Sequence, residues 1–371
     1  MLLKSLRFLS YRNLQGLVLL GPGLNFFTGA NGQGKSNVLE AVYMACNARS
    51  FRAGRLADLI RFGESAAAVE LTVERDGVDT PLTLQVTGSE RSLCVGGSRD
   101  CSLQDAMEYL RVILFGPEDL DLVKGEPSVR RDFLDRAVTS HHPPYAAALK
   151  GYQKLVRERN QLLRDFFVGR PPPMGLAEAF EDELSRLAGQ ITSQRLRYLR
   201  ELAPLAVGTV TENTSGKLSL SLGYASAAVQ PDSLANTDEL AAMYRTRLAE
   251  ARAADIASGH TSVGPHTDDL DVELNGRKAR YFASQGEQRQ VAVSLKLAQL
   301  RLWRSRFGVN PVLLLDDVLS ELDPQRARLL LTTITGWNVQ TLIATTSVPD
   351  VLLDGSVCVF HVEEGKIRHG G

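Results

Sequence analysis

One octapeptide near the start of the chain constrains its fold more than any other feature. It consists of Gly29, Ala30, Asn31, Gly32, Gln33, Gly34, Lys35 and Ser36, and it matches the phosphate-binding pattern G-x-x-x-x-G-K-S. The apolar segment Leu24–Thr28 predicts a buried strand before it, and apolar residues at helical spacing in 37–44 predict a helix after it. In that setting backbone N–H groups bind phosphate, Lys35 reaches the β- and γ-phosphates, and Ser36 holds Mg²⁺. We therefore predict that the chain binds a nucleoside triphosphate.

Composition excludes several other classes of protein. The 371 residues are 44% apolar and 23% charged, with a formal net charge of −1, which predicts a globular protein of two or three domains with no overall bias toward nucleic acid. The four cysteines lack C-x-x-C spacing and suit a reducing cytosol: Cys46, Cys94, Cys101 and Cys358. No secretory signal and no apolar run of bilayer length is present. We expect a cytoplasmic protein without a membrane partner.

The texture of the sequence changes twice along the chain. The first part predicts short strands, the segment from about Pro127 is rich in Ala, Leu, Arg and Glu, and α/β texture returns after Gly259. Two long helices, Tyr145–Phe167 and 176–202, flank a proline turn and predict a helical hairpin arm. Further predicted strands occupy the following ranges: 3–9, 14–20, 69–74, 82–86, 92–95, 217–224, 270–274, 311–315, 340–345 and 357–362.

A second nucleotide motif lies near the other end of the chain. The apolar run 312–315 ends in Asp316 and Asp317, which is a Walker B pattern. We expect Asp316 to bind Mg²⁺ through water, and Asp317 to lie near the γ-phosphate and orient or activate the attacking water. The long separation from the phosphate loop indicates that the arm is inserted between two halves of one nucleotide-binding domain.

The segment 284–290, Ser-Gln-Gly-Glu-Gln-Arg-Gln, opens a predicted helix ahead of the Walker B strand. It resembles the signature motif of ABC-type ATPases, in which Ser284 and the N–H groups around Gly286 would bind the γ-phosphate of a nucleotide held by another subunit. A plain serine N-cap is the alternative. Segment 320–323 resembles a D-loop, and 345–347 occupies the position of the switch residue.

These motifs predict an α/β fold, an ABC-type P-loop ATPase head assembled from both chain ends. The head is expected at 1–126 and 258–371, and the inserted helical arm at 127–257. Asp317 and Lys35 are the predicted catalytic residues, and Asp317 is shorter than the glutamate that ABC transporters carry there, which suits slow hydrolysis. No glutamine that could sense Mg²⁺ occurs in 111–121, and threonine stands where transporters usually have the switch histidine.

Four further segments, 10–14, 115–125, 130–135 and 264–270, complete a specific resemblance. Together with the nucleotide motifs they are similar, in the same order, to those of the RecF family in the SMC-like branch of ABC ATPases. The resemblance implies ATP and Mg²⁺ as cofactors, ATP-dependent homodimerisation, weak DNA-stimulated hydrolysis, and binding of single-stranded and duplex DNA at gaps or junctions. It also implies work with RecO and RecR in loading RecA, and roles in replication and the SOS response.

Several side chains have two possible roles. Arg12 and Asn13 could approach the nucleotide or form a β-turn, and His266 could lie near the γ-phosphate or be a hydrogen-bonded core residue. The following arginines could bind DNA or simply face solvent: Arg157, Arg159, Arg164, Arg186, Arg195, Arg197, Arg200, Arg301, Arg304 and Arg306. Because aromatic residues are only 6% of the chain and no stacking platform is visible, we expect DNA contacts to the backbone.

Two other functions fit the phosphate loop. An ABC transporter ATPase subunit would share the three nucleotide motifs, but it would lack the long arm and need a membrane partner. A P-loop kinase would have no signature motif, and its site would work in a monomer.

Overall fold

The computed structural model describes residues 1–98, 101–167, 175–230, 234–349 and 356–370. The chain divides into two compact units. The head unit comprises Met1–Asp119 and Trp303–Gly371, and the arm unit comprises Leu120–Leu302. The expected arm, 127–257, lies inside the arm unit, which also contains the predicted signature segment. Much of the proline turn expected between the two long helices lies outside the described residues.

An eleven-stranded sheet organises the described part of the head unit, in the order β6-β5-β4-β1-β2-β14-β13-β3-β12-β11-β7. Its strands are β1 (Leu2–Tyr11), β2 (Leu14–Leu19), β3 (Leu24–Thr28), β4 (Ala66–Arg75), β5 (Val78–Thr87), β6 (Glu90–Val95), β7 (Val112–Phe115), β11 (Val312–Asp316), β12 (Thr341–Thr345), β13 (Val357–Glu363) and β14 (Lys366–Gly370). Its helices are α1 (Lys35–Asn47), a 3₁₀ turn (Leu56–Leu59), α2 (Leu103–Tyr109), α3 (Pro117–Leu120), α10 (Val318–Glu321) and α11 (Pro324–Gly336). The two boundaries with the arm unit fall within α3 and within α9 (Gln285–Phe307).

The parallel half of the sheet brings the two nucleotide motifs together. β3 pairs with β12, and β12 pairs with β11, all in parallel. Every residue of these three strands is buried, as expected for parallel strands covered on both faces. Because parallel strands end at the same edge, the loop after β3 and the carboxylates after β11 lie at one edge of the sheet.

The antiparallel half has one buried face and one exposed face. In β4 the inward residues alternate with partly exposed ones, and Val69 and Leu71 lie opposite Leu84 and Leu82 of β5. This period-two pattern is typical of a sheet with one solvated face. The inward side chains join those of α1 in a single apolar core, which fixes the helix that follows the phosphate loop.

The arm unit is mostly helical. Its elements are α4 (Pro127–His141), α5 (Tyr145–Phe167), α6 (Leu176–Thr214), β8 (Leu220–Ala225), α7 (Thr237–Ser258), β9 (Asp269–Leu274), β10 (Arg277–Lys278), α8 (Ala279–Phe282) and most of α9. The prediction ended α6 at Leu202, but the helix continues through Pro204. Buried side chains on both sides of the proline, Leu202, Ala206 and Val210, anchor the helix despite the lost backbone hydrogen bond.

Two arginines that were candidates for DNA contact are buried in the arm unit. Arg195 donates to Asp135 at 2.9 Å and to the Pro265 carbonyl at 2.7 Å. Arg159 donates to Asp255 at 2.7 Å. Neither guanidinium reaches solvent, so the prediction that these two arginines could face DNA is wrong. They neutralise buried carboxylates, which would otherwise be costly to desolvate.

The segment 264–270 also serves the arm core. His266 contacts Tyr152 Oη through Nδ1 at 2.6 Å and the Thr261 carbonyl through Nε2 at 3.0 Å. Burial lowers the pKa of His266, which favours the neutral ring. Asp269 accepts two hydrogen bonds from Arg130, at 2.8 and 2.6 Å. Of the two roles considered for His266, the structure therefore supports the hydrogen-bonded core residue.

No helix within the described ranges is long and apolar enough to cross a membrane.

Candidate nucleotide-binding site

The phosphate loop joins β3 to α1 through three glycines with positive φ. Gly29, Gly32 and Gly34 have φ values of 146°, 81° and 115°. A Cβ on Gly29 would lie 2.4 Å from the Val362 carbonyl oxygen, and one on Gly34 would lie 2.8 Å from Asn13 Oδ1. Only glycine avoids both the strain and the clash. The loop therefore keeps the open backbone that phosphate binding requires, and Ala30, Asn31 and Gln33 lie between these glycines.

The Lys35 side chain folds back over the loop. Its ammonium donates to the carbonyl oxygens of Gly29 at 2.8 Å and Ala30 at 2.9 Å. The residue is only 7% exposed, and its contacts are with neutral carbonyls. Because phosphate oxygens are stronger acceptors for an ammonium group than carbonyls are, this charge is available to a nucleotide entering the loop.

Both ends of the chain hold the phosphate loop in place through Gln33. Asn13 Nδ2 donates to the Gln33 carbonyl at 2.9 Å. From the turn between β13 and β14, the N–H of Gly365 donates to the same carbonyl at 3.0 Å, and the N–H of Glu364 donates to Gln33 Oε1 at 2.6 Å. Asn37 Nδ2 in turn donates to Asn13 Oδ1 at 2.8 Å. Asn13 lies in the turn between β1 and β2 and also positions the loop.

Arg12 is committed to a buried carboxylate. Its guanidinium donates to both oxygens of Glu40, at 2.5 and 2.8 Å, and Ser50 Oγ donates to Glu40 Oε1 at 2.5 Å. The Glu40 side chain is fully buried on α1. From the turn between β1 and β2, Arg12 therefore neutralises a buried charge in α1, the helix that follows the phosphate loop. A place in this turn was one of the two roles considered for it.

Replacing Arg12 by methionine is expected to lower the free energy of unfolding by about 3–5 kcal/mol, because it leaves the Glu40 charge buried without its partner. Chemical denaturation of the purified chain measures this change. The double variant Arg12→Met/Glu40→Met removes both charges and should recover most of the loss. Equal stability of the native chain and Arg12→Met would show that the pair does not stabilise the fold.

At the end of β11, Asp316 is buried beside Ser36. Burial raises the pKa of Asp316, whereas the Ser36 hydroxyl, through a hydrogen bond, and the nearby Arg52 charge lower it. Asp316 Oδ1 has no hydrogen-bond partner in the described part of the chain. A buried carboxylate oxygen left unpaired is costly unless a cation or donor satisfies it. Ser36 and Asp316, predicted from widely separated motifs, are thus brought together.

These two side chains fit Mg²⁺ in an ATP site. Mg²⁺ prefers oxygen ligands and is usually held by one or two side chains, with phosphate oxygens and water completing the shell. Within the described ranges no group of three or more His, Cys, Asp or Glu side chains could hold a metal. Two side chains of this kind would leave the other positions around Mg²⁺ to phosphate oxygens and water.

Asp317 has a strained backbone at the same edge of the sheet. Its φ is 53°, in the left-handed region that costs a side-chain-bearing residue about 1–2 kcal/mol. Its N–H donates to the Ala344 carbonyl at 3.0 Å, and its carboxylate Oδ1 accepts from Ser320 Oγ at 2.9 Å. This conformation holds the half-buried carboxylate next to Asp316. At the end of β12, the Thr345 hydroxyl donates to the Ser347 carbonyl at 3.1 Å.

Sequence reasoning missed Arg52 and Glu40. Arg52 donates to Asn37 Oδ1 at 3.2 Å, and its charge lowers the pKa of Asp316. It lies in an irregular segment after α1, where neither periodicity nor a motif marks it. Glu40 is a helix residue of a common type, and nothing local signals that it is buried.

In the arm unit, Ser284 caps the N-terminus of α9. Its hydroxyl accepts from the Glu287 N–H at 3.3 Å, and Glu287 accepts from the Ser284 N–H at 2.7 Å. These hydrogen bonds lower the pKa of Glu287. The capping box satisfies the helix start within the single chain, as the plain N-cap alternative expects. Ser284 is exposed and Gly286 partly exposed, so both also remain accessible to another molecule.

A family model, curated relatives and solved structures all match this chain over nearly its full length. A family model described as RecF/RecN/SMC N terminal domain matches residues 2–366. The DNA replication and repair protein RecF of Heliobacterium modesticaldum is 36% identical, with 99% of each chain covered, and that of Enterococcus faecalis is 35% identical, again with 99% of each covered.

Among solved structures, a recombination mediator protein RecF described as RecF-ATPrS in the RecFOR pathway superposes with a TM-score of 0.90. It is 29% identical, and the match covers 99% of this chain and 97% of that one. An SMC head bound to the winged-helix domain of ScpA superposes with a TM-score of 0.55 at 14% identity, covering 100% and 98%; this match shows the fold alone. None of these relatives is a transporter subunit.

Proposed function

Because the chain belongs to the RecF family of DNA replication and repair proteins, within the SMC-like ATPases, we propose that it is an ATP-gated, DNA-binding switch. ATP binding closes two subunits on DNA, and slow hydrolysis reopens them. The observation that carries this proposal is the meeting of the phosphate loop with Asp316, whose buried Oδ1 lacks a partner beside Ser36. The transporter alternative has no support among the relatives.

Each residue of the loop has a defined task in this proposal. The N–H groups of Gly29, Ala30, Asn31, Gly32, Gln33, Gly34, Lys35 and Ser36 surround the phosphates, aided by the N-terminus of α1. The Lys35 ammonium exchanges its two carbonyl partners for β- and γ-phosphate oxygens. Ser36 and Asp316 hold Mg²⁺, which when bound neutralises negative charge on the phosphates. Asn13 keeps Gln33 in position, and Arg12 neutralises Glu40 in α1.

Asp317 orients the attacking water and accepts its proton. Its carboxylate is half-buried next to the Mg²⁺ ligand Asp316, and Ser320 fixes one oxygen. An aspartate reaches one methylene less far than the glutamate of ABC transporters. The attacking water is therefore held less closely, and hydrolysis is slow enough to serve as a timer for the closed state.

The complete ATP site needs a second subunit. Ser284 and the N–H groups around Gly286 lie at the exposed N-terminus of α9, where partial positive charge favours an anion. In the closed homodimer they contact the γ-phosphate held by the partner. Two composite sites form, and both must be filled for closure.

DNA binds in this closed state through phosphate contacts. The exposed arginines of α5 and α6 are the remaining candidates on the arm: Arg157, Arg164, Arg186, Arg197 and Arg200. Arg186 pairs with Glu183, and Arg197 pairs with Glu201, whereas Arg200 has no carboxylate partner among the described residues. We place this activity in the cytoplasm at single-strand gaps and junctions, where the protein supports RecA loading with RecO and RecR, replication, and the SOS response.

ATP turnover of the native chain and of Asp317→Asn, with and without duplex DNA, tests this function. DNA should raise native turnover, and the effect should weaken with salt because the contacts are to phosphates. Asp317→Asn should lower turnover by about 100-fold, the usual contribution of a general base. Asp79→Asn, a matched change at an exposed aspartate paired with Lys4, should leave turnover unchanged.

Two results would contradict the proposal. Unchanged turnover in Asp317→Asn would remove the role assigned to that carboxylate. Turnover that is indifferent to DNA and independent of protein concentration would favour the P-loop kinase alternative, in which one chain forms the whole site.

A further inference from the structure

Two neighbouring aromatic side chains stand in solvent just before the N-cap of α9. Tyr281 is 74% exposed and Phe282 is 65% exposed, both on the short helix α8. The guanidinium of Arg277 lies 5.6 Å from the centre of the Phe282 ring. Ala279 is fully buried and anchors this helix. We name Arg277, Tyr281 and Phe282 the aromatic turn.

A solvent-exposed pair of large aromatic rings is unusual for a surface without a partner. Aromatic residues and arginine are the types enriched at the centres of protein interfaces. The aromatic turn also lies close to the proposed dimer contact. A single residue separates Phe282 from Ser284, which we propose to contact the partner's nucleotide. The surface that continues from Ser284 through Phe282 therefore faces whatever surrounds that nucleotide.

The head unit has a matching exposed ring beside the phosphate loop. Phe62 has a relative exposure of 103% and lines an open, mostly polar groove of about 600 Å³ together with Gly32, Asn37, Asp58, Arg61 and Glu364. The preceding residue, Arg61, is fixed by hydrogen bonds to the carbonyl oxygens of residues 12, 13 and 14, at 3.2, 3.1 and 2.8 Å. Phe62 is thus presented to solvent from an anchored segment. We name this the Phe62 groove.

The two surfaces also carry opposite unpaired charges. Arg277 is exposed and has no carboxylate partner among the residues that the structure describes. Glu364 is exposed in the Phe62 groove, and its carboxylate has no cationic partner within the same described ranges. Opposite charges at the edge of an apolar contact set the register of an interface and disfavour wrong partners.

We propose that, in the ATP-bound dimer, the aromatic turn of one subunit docks into the Phe62 groove of the other. Tyr281 and Phe282 pack against Phe62 of the partner subunit, and Arg277 pairs with Glu364 of the partner subunit. The inference rests on the proposed function, because it uses the assignment of Ser284 to the partner's nucleotide. The proposed contact is made by protein side chains, in addition to the contacts with the nucleotide. It forms twice in a twofold dimer.

A charge exchange tests the pairing. The dimer dissociation constant is measured by sedimentation at saturating ATP for the native chain, Arg277→Glu, Glu364→Arg and the double variant. Each single change should weaken dimerisation by at least about tenfold, and the double variant should return to within about threefold of the native value. Recovery in the double variant distinguishes a direct pair from separate local damage.

Two ring substitutions test the apolar part. Phe62→Ser and Phe282→Ser alter exposed side chains and so should preserve the fold, which circular dichroism and thermal melting verify. Each should weaken dimerisation by about tenfold, as expected for aromatic residues at the centre of an interface. Leu234→Ser is the control, because it removes another exposed apolar side chain that belongs to neither surface. It should leave the dissociation constant unchanged.

The outcomes separate this inference from the proposed function. If the native chain dimerises with ATP, but the double variant does not recover and Phe282→Ser has no effect, the inference is overturned and the proposed function stands. If Phe282→Ser instead lowers affinity for a single-stranded oligonucleotide without changing dimerisation, the aromatic turn stacks nucleic acid bases, and the inference is again overturned. A native chain that stays monomeric with ATP contradicts both.

Discussion

Replacing Lys35 by methionine should weaken ATP binding on the order of 100-fold. Methionine retains most of the side-chain length but removes the ammonium, which donates to the Gly29 and Ala30 carbonyls in the free protein. With ATP bound, the loss leaves phosphate charge in the loop without its positive partner. Truncating one partner of a desolvated charge pair costs about 2–5 kcal/mol, and a 100-fold loss of ATP affinity lies within this range. Titration calorimetry with ATP measures it directly.

The matched control is Lys154→Met, at a lysine whose side chain is 71% exposed on α5 of the arm unit. It makes the same chemical change away from the loop and should leave ATP affinity as it is. Because Lys35 donates to two backbone carbonyls and has no carboxylate partner among the described residues, its replacement should not unfold the head unit, and a thermal melt checks this. ATP affinity within about threefold of native for Lys35→Met would contradict the assignment of the loop.

Replacing Ser284 by arginine should abolish ATP-dependent dimerisation, weakening it by at least about 100-fold. The larger, positively charged side chain would occupy the exposed start of α9, where the proposal places the partner's γ-phosphate, and would disturb the close packing that a γ-phosphate contact requires. Light scattering at saturating ATP over a range of protein concentrations measures the effect. The expected mass is that of one chain, 40.6 kDa, at every concentration at which the native chain is a dimer.

The chain supplies a matched control for this change. Ser102 caps α2 with the same arrangement, in which its side chain accepts from the Asp105 N–H and Asp105 accepts from the Ser102 N–H. Ser102→Arg therefore loses an equivalent cap, worth about 1 kcal/mol, without touching the signature segment. It should still dimerise with ATP. If both variants fail to dimerise, the defect lies in helix capping rather than in a contact with the partner.

The parts of the fold that could be predicted from the sequence are those with local signals. The strand Leu24–Thr28 has the bounds expected for it, because a short, largely apolar segment between a Gly-Pro-Gly turn and a glycine loop admits few alternatives. The Walker B strand was placed to within one residue for the same reason. Strand β7 was missed, since four apolar residues show no periodicity, and so was β14, whose residues are mostly polar.

The roles of individual charged residues could not be predicted in this way. Arg195 and Arg197 look equivalent in sequence, yet one is buried against Asp135 and the other is exposed beside Glu201. The partner of Arg195 lies 60 positions away, and burial of this kind depends on tertiary packing that no local pattern records. Arg12 is similar, because its partner Glu40 lies beyond the phosphate loop.

The conformation of the phosphate loop likewise depends on contacts between distant parts of the sequence. Gln33 is held by Asn13 and by the turn at Glu364 and Gly365, 331 positions from Gln33 in the case of Glu364. A Cβ on Gly365 would lie 1.8 Å from the Asn13 carbonyl oxygen, so residue 365 must be a glycine, which also tolerates the positive φ of this turn. No local pattern in the sequence shows that this turn supports the phosphate loop.

The central claim is that ATP joins two chains, and the mass of the native protein in solution tests it most directly. Light scattering is measured without nucleotide and with saturating ATP and Mg²⁺. The mass should rise from its value without nucleotide to twice 40.6 kDa with ATP, and it should fall again as ATP is consumed. A protein that hydrolyses ATP while remaining at the mass of one chain would contradict the account, because its site would then be complete without Ser284 of a partner.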